Sequence, residues 1–247
     1  MEKKKILITG ATGFLGTNLQ QALGNRYEIY AYNSKSQLQE LDRYAEDCDF
    51  VFHFAAIHRP KDVAEFSVVN TDLFGYLLEK LEQCGNNCPV LYTSSIQAVD
   101  DTPYGRSKTG AEELLRQHSR KLGSSGMVYR LTNTFGPHAR PNGHSVVATF
   151  CYNLNRDLPI QINNPTHQMR LYYVGDVMDL FLQELQTPAK GFAFRELEED
   201  KVYPVTLQQL ADKLYAFREA DKKEEKLQPE AAFDQKLYKT FQSYREK

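Results

Sequence analysis

The segment Thr9-Gly10-Ala11-Thr12-Gly13-Phe14-Leu15-Gly16 lies between the apolar run ILI and the helix-like FLGTNLQQAL, and no other feature constrains the fold as strongly. Glycines at this spacing, placed directly after a first strand, each answer a separate need. Gly10 permits a tight turn, Gly13 lets backbone N–H groups approach a pyrophosphate, and Gly16 lets the helix pack closely on the sheet. The helix N-terminus adds unpaired donors and a favourable dipole. With Thr12, Phe14 and Leu15, these glycines form the expected phosphate cradle. A glycine-rich turn without a ligand is the alternative, and the position after the first strand argues against it.

Downstream, short apolar runs alternate with amphipathic segments, the pattern of a mostly parallel sheet wrapped by helices. KKKILIT, YEIYAY, DFVFHF, PVLYTSS and MVYRL read as strands. EFSVVNTDLFGYLLEKLEQ reads as one long helix, and PYGRSKTGAEELLRQHSRKLG as a helix opened by proline and closed by glycine. The expected fold is α/β: a Rossmann-like doubly wound parallel sheet binding ligands at its strands' C-terminal ends, with a small C-terminal substrate-binding lobe. After about Thr134 the pattern turns irregular, with SVVATFCYNLNR and VMDLFLQEL helical and LPIQI and MRLYYV strand-like. The expected division is a dinucleotide-binding domain over 1–134 and a substrate lobe over 135–218, interleaved with the core. Residues 219–247 then form a charged connector and a terminal helix, which packs on the lobe or leads into a further domain.

Composition narrows the class. The net charge of −2 favours neither nucleic acid nor an anionic membrane surface. No apolar run is long enough to span a bilayer, and MEKKKILI is too short for a signal peptide. The four cysteines form no disulfide framework in a chain of 247 residues, so a reduced cytoplasmic protein is expected. Cys84 and Cys88 lack a second ligand pair for zinc, and His53, His58, His138 and His144 show no metal spacing.

Two further motifs bear on chemistry. At the end of the second strand, Asn33-Ser34-Lys35 offers no carboxylate to a ribose 2′-hydroxyl, while Ser34 and Lys35 suit a 2′-phosphate. That favours NADP over NAD; the alternative is plain turn residues. Tyr104 and Lys108 share a helix face one turn apart, so an ammonium beside the phenol is expected to lower its pKa from ~10. Ser95, just past a strand, is placed to hold a substrate oxygen that Tyr104 protonates.

TGxxGxxG, the HFAA of Phe54-Ala55-Ala56, and Ser plus Tyr-x-x-x-Lys resemble the extended short-chain dehydrogenase/reductase family, also described as the NAD-dependent epimerase/dehydratase family. The resemblance covers roughly Lys4 to Asp179. It implies Ser95, Tyr104 and Lys108 as catalytic residues, with Thr93, Leu131, Tyr104 and Lys108 joining the cradle, Asn33 to Lys35 and Phe54 to Ala56 in binding the cofactor. It further implies Asn70, Ser95, Ile96, Asn133, Arg140 and Arg170 at the substrate, with Asp176 following. Asp176 reads equally as a helix N-cap.

Only eight residues separate Ser95 from Tyr104, shorter than in most of that family. Ile96 and Gln97 stand where the family's dehydratases have Asp-Glu, which argues against elimination of water. The usual strand and aspartate near the adenine are missing or reduced. SSIQAVDDTPYGRSK, HRP after HFAAI, and SVVATFCYN with LPIQINNP resemble reductases of capsular polysaccharide synthesis that act on UDP-linked 4-keto-6-deoxy amino sugars. In that subgroup a cupin domain often follows. The implied activity is NADPH-dependent reduction of the C4 ketone; the alternatives are an NAD-dependent epimerase and a non-catalytic NADP(H)-binding module. A homodimer through the two long helices is implied by the family, though core packing explains Phe66, Leu73, Leu77, Leu114 and Leu115 equally well.

Overall fold

The computed structural model describes residues 2–57, 62, 66, 68–143, 145–225 and 227–245. His58, Arg59, Pro60 and His144, noted above, lie outside these. The strands are β1 (Lys5–Thr9), β2 (Glu28–Tyr32), β3 (Phe50–His53), β4 (Val90–Ser95), β5 (Gly126–Leu131), β6 (Asn133–Phe135), β7 (Gln168–Tyr173), β8 (Phe192–Arg195) and β9 (Val202–Thr206). The α-helices are α1 (Phe14–Leu23), α2 (Leu38–Asp47), α3 (Leu73–Cys84), α4 (Pro103–Leu122), α5 (Val146–Leu154), α6 (Val174–Gln186), α7 (Leu207–Lys222) and α8 (Ala232–Gln242). Contacts divide the chain into two compact units, Met1–Leu131 with Met178–Leu197, and Thr132–Val177 with Glu198–Lys247.

The first unit holds, among the described residues, a six-stranded sheet in the order β2-β1-β3-β4-β5-β8, parallel throughout. Its strands read as continuous apolar runs because both faces are covered. Val51, Val90, Tyr92 and Val128 pack with Leu41, Leu77, Leu81, Ala111 and Leu115 of α2, α3 and α4. On the opposite face, Phe181 of α6 meets Phe52 and Tyr129. The chain leaves β1 for β2 on one side and returns through α2 to β3 on the other. That reversal opens a crevice at the C-terminal ends of β1 and β3, the usual ligand position in such sheets.

α4 forms where its caps demand: Thr102 accepts a bond from Gly105 N at 3.0 Å, Pro103 opens the first turn, and Gly123 closes the helix at φ 64°. Within the long helix expected over EFSVVNTDLFGYLLEKLEQ, Val68–Asp72 form a π-helical turn that leads into α3. The cause is visible: the Asn70 side chain is bonded to Ile57 and Ser107, outside its own helix. Leu77 and Leu115 sit in the core, Leu73 and Leu114 pack against it, and the Phe66 ring lies 5.7 Å from that of Tyr104.

The second unit carries the smaller sheet β6-β7-β9, with β7 and β9 antiparallel. Phe135, Tyr203, Phe233, Phe217 and Phe241 form its aromatic core with α7 and α8. LPIQI is not a strand: Leu158 N donates to the Asn153 carbonyl, and the Asn153 side chain donates to the Pro159 carbonyl, tying the segment to the end of α5. α8 packs within this unit. Lys236 bonds Asp176 at 2.6 Å, and the Tyr244 hydroxyl donates to the Ala139 carbonyl.

Candidate active site

The cradle is built by close approach. Gly10 has φ +67°, and a Cβ there would stand 2.9 Å from Ala55 N. A Cβ on Gly16 would stand 2.4 Å from the Gly10 carbonyl oxygen. Thr9, which sequence reasoning missed, ties the two strand ends together: its hydroxyl accepts from Phe54 N and Ala55 N, each at 3.2 Å, and pairs with His53 Nδ1 at 2.9 Å. α1 has Gly13 as its N-cap, with no side-chain cap and no acid in its first turn; Gly13 N donates to the Gly10 carbonyl at 2.9 Å, and among the described residues no side chain caps the donors that follow. These features fit a dinucleotide pyrophosphate. Thr12 is exposed, while Phe14 and Leu15 are half-buried.

Asn33, Ser34 and Lys35 form a turn after β2, where Lys35 N donates to Asn33 Oδ1 at 2.9 Å. Ser34 and Lys35 are exposed. Phe54, Ala55 and Ala56 follow β3 across the crevice, Thr93 lies near the end of β4, and Leu131 ends β5 opposite Ser95.

Ser95, Tyr104 and Lys108 come together. The Ser95 hydroxyl lies close enough to the Tyr104 phenol to lower its pKa, and it accepts from Gln97 N at 3.1 Å. Lys108 is 2% exposed; its Nζ donates to the Thr93 carbonyl at 3.1 Å and lies 5.0 Å from the Tyr92 ring and 5.8 Å from that of Tyr104. Burial pushes the Lys108 ammonium down to about 8, with Glu112 opposing. The lowered phenol pKa expected for Tyr104 is not what the structure gives. Burial pushes it up to about 12, against a smaller lowering from Ser95. The ammonium is spent on a backbone carbonyl, so desolvation of the phenol wins.

Beneath Lys108, His53 is fully buried and stacks on Phe74 at 4.1 Å. Burial, then the Lys108 charge, lowers its pKa to about 3, which leaves it neutral. Asn70 is 1% exposed: Ile57 N donates to its Oδ1, and its Nδ2 donates to the Ile57 carbonyl and Ser107 Oγ. It therefore clamps the segment after β3 to α4. Ile96 is 51% exposed at the start of a 3₁₀ turn.

In the second unit, Asn133 and Arg140 are exposed, and Arg170 on β7 pairs with Glu199 at 2.5 Å. Cys88 faces Cys48 at 3.7 Å and Cys84 is exposed, so the C-x-x-x-C pair does not converge. Among the described residues, no cluster of His, Cys, Asp or Glu is arranged to hold a metal, and no helix is long and apolar enough to cross a membrane.

Residues 6–198 match the model of the NAD dependent epimerase/dehydratase family. A UDP-2-acetamido-2,6-beta-L-arabino-hexul-4-ose reductase of Pseudomonas aeruginosa is 37% identical over 97% of this chain and 64% of its own. A capsular polysaccharide assembling protein, CapF, of Staphylococcus aureus superposes with a TM-score of 0.86 and 32% identity, over 98% of this chain and 66% of its own. The chain thus spans just under two thirds of the length of both. A UDP-N-acetylglucosamine 4-epimerase of Methanobrevibacter ruminantium, 18% identical over 99% of both chains with a TM-score of 0.81, shares the fold.

Proposed function

The chain belongs to the NAD dependent epimerase/dehydratase family, and on that premise we propose that it reduces the C4 ketone of a UDP-linked 4-keto-6-deoxy amino sugar. The observation that carries this reading is the convergence of three side chains at the end of β4: the Lys108 ammonium lies 5.8 Å from the Tyr104 ring, and the Ser95 hydroxyl acts on the Tyr104 phenol. The relative named for acting on such a 4-ulose supports the substrate class.

A bound nicotinamide dinucleotide supplies the hydride. Gly10, Gly13 and Gly16, with the first turn of α1, hold its pyrophosphate. NADP is preferred because Ser34 and Lys35 are exposed on a turn without a carboxylate. Tyr104 is fully protonated at neutral pH, the form that gives its proton to the ketone oxygen as that oxygen becomes a hydroxyl. Ser95 holds the same oxygen by hydrogen bond. Lys108, largely charged at pH 7, favours the phenolate left on Tyr104. Asn70 acts through Ile57 and Ser107 rather than by touching the sugar. Asn133, Arg140 and Arg170 are assigned to the diphosphate and Ile96 to the sugar. The place of action proposed is the cytoplasm, in supply of surface-polysaccharide precursors, by a homodimer whose longer relatives extend past this chain.

The test is the loss of nicotinamide absorbance when the chain meets NADPH and a UDP-4-keto-6-deoxy-N-acetylhexosamine, with NADH and Tyr104→Phe run beside it. Oxidation that needs Tyr104 and prefers NADPH is expected. Tightly retained NAD with sugar interconversion and no net oxidation would establish an epimerase instead.

A further inference from the structure

Tyr104, Lys108 and Glu112 recur at every fourth residue of α4 and so share one face, yet only the first two have a place in the chemistry above. Glu112 is as deeply buried as Lys108, at 2% exposure. Its carboxylate accepts from the Ser94 hydroxyl at 2.5 Å and from Arg130 twice, Nε at 2.9 Å and Nη2 at 2.6 Å. An unpaired carboxylate at such depth is costly, so three strong donors explain how it survives there. They do not explain why it stands in the Tyr104–Lys108 stripe.

The two charges of the Glu112–Arg130 pair are screened unequally. The Glu112 side chain is 3% exposed, whereas that of Arg130 is 34% exposed and lies over the Phe194 ring at 4.8 Å. Water weakens the field of the guanidinium far more than that of the carboxylate, so the dry side of the helix feels a net negative charge. Among the described residues, these groups face Lys108 there. His53 comes from β3 and is neutral; Tyr92 and the Thr93 carbonyl come from β4; Arg130 comes from β5 and is held by Glu112; Tyr104 comes from α4 itself. Burial lowers Lys108, and Glu112 is the group that opposes the fall.

Position is set as well as charge. Lys108 bonds Thr93 and Glu112 bonds Ser94, which are adjacent residues of β4 reached from successive turns of α4. This two-point brace leaves Ser95, the next residue, where it meets the Tyr104 phenol.

We propose that Glu112 is a positioning residue, whose carboxylate keeps Lys108 protonated and, through Ser94, holds the end of β4 so that Ser95 meets Tyr104. The proposal rests on the reading of Tyr104 as proton donor. A merely structural ion pair would stabilise the chain and leave the titration of Lys108 alone.

The decisive measurement is the NMR titration of the Lys108 side-chain carbon next to the ammonium, in the full chain, with its resonance assigned by Lys108→Arg. Glu112→Gln is expected to lower the Lys108 midpoint by roughly one pH unit, while Glu112→Asp leaves it near the native value. In the keto-sugar assay, Glu112→Gln should lower kcat about twofold at pH 7 and about tenfold near pH 9, moving its alkaline limb down with the midpoint, with KM little changed. A Lys108 midpoint unmoved in folded Glu112→Gln overturns the proposal. So does a loss of kcat by one constant factor at every pH. Should Glu112→Gln not fold, Arg130→Gln takes its place: stripping the guanidinium from the carboxylate must raise the Lys108 midpoint, and no rise overturns the proposal. The titration needs neither cofactor nor sugar. If the native chain oxidises no NADPH, the functional reading falls while the titration still judges Glu112.

Discussion

Two lysines, one in each unit, meet burial in opposite ways. Lys108 in the first unit is nearly inaccessible, bonds a backbone carbonyl and lies over two tyrosine rings, and its pKa falls to about 8. Lys236 in the second unit is also drawn down by burial, but bonds to Asp176 at 2.6 Å and to Tyr203 at 2.9 Å outweigh it, and its pKa is raised. A lysine that serves packing is given a carboxylate. One kept near its titration point is denied direct contact with one and left to a carboxylate a turn away. The placement of the counter-charge, more than the depth of burial, separates an ammonium held near its titration point from one fixed in its charged form.

The largest test of this contrast is catalytic. Lys108→Met and Tyr104→Phe should each cost about 10²–10⁴ in kcat for the proposed keto-sugar reduction, the range general acid–base groups supply. Lys236→Met should leave kcat unchanged. Equal losses from the two lysine variants in steady-state assays would break the contrast outright.

Stability should order them the other way. Lys236→Met strands Asp176, whose side chain is 11% exposed, and should cost about 1–2 kcal/mol in urea unfolding, moderated because Lys236 itself is partly exposed. Lys108→Met removes a desolvated charge and should raise the unfolding midpoint, as expected where a site holds strain that its chemistry requires. A Lys108→Met chain less stable than native would mean the ammonium is held mainly for packing.

What the sequence disclosed follows the same line. The glycine cradle and the Tyr104–Lys108 pair were legible because each is contiguous and its spacing maps directly onto one turn or one helix face. The Ser94–Glu112–Arg130 network was not, since it needs β4, β5 and α4 in register. The signal that was present, Glu112 four residues after Lys108, has no meaning until the helix face is known to be buried. Lys236 and Asp176 lie 60 residues apart and no local pattern joins them. LPIQI has strand composition but is claimed by Asn153, a tertiary bond that propensity does not register. α7 is different: Thr206 and Gln209 form a capping box that was readable as T-x-x-Q before an amphipathic run.

The smallest effect is the most discriminating, because its sign differs between the two lysines. Lys108 titrates near 8 when folded and near ~10.4 when unfolded, so between those values the unfolded chain binds the extra proton. The stability of the native chain relative to Lys108→Met should therefore rise as pH increases from 8 towards ~10.4, and stay flat below 8. Lys236 is raised on folding, so its contribution is complete below ~10.4 and is lost only as pH climbs through the raised value. Urea midpoints for the native chain and both variants, measured at intervals from pH 7 to the alkaline limit, cancel the titrations common to all three. Differences that diverge in sign would show that the same side chain is stabilised in one unit and held under tension in the other. Differences that run together would show that Glu112 or a neighbour neutralises Lys108 as fully as Asp176 neutralises Lys236.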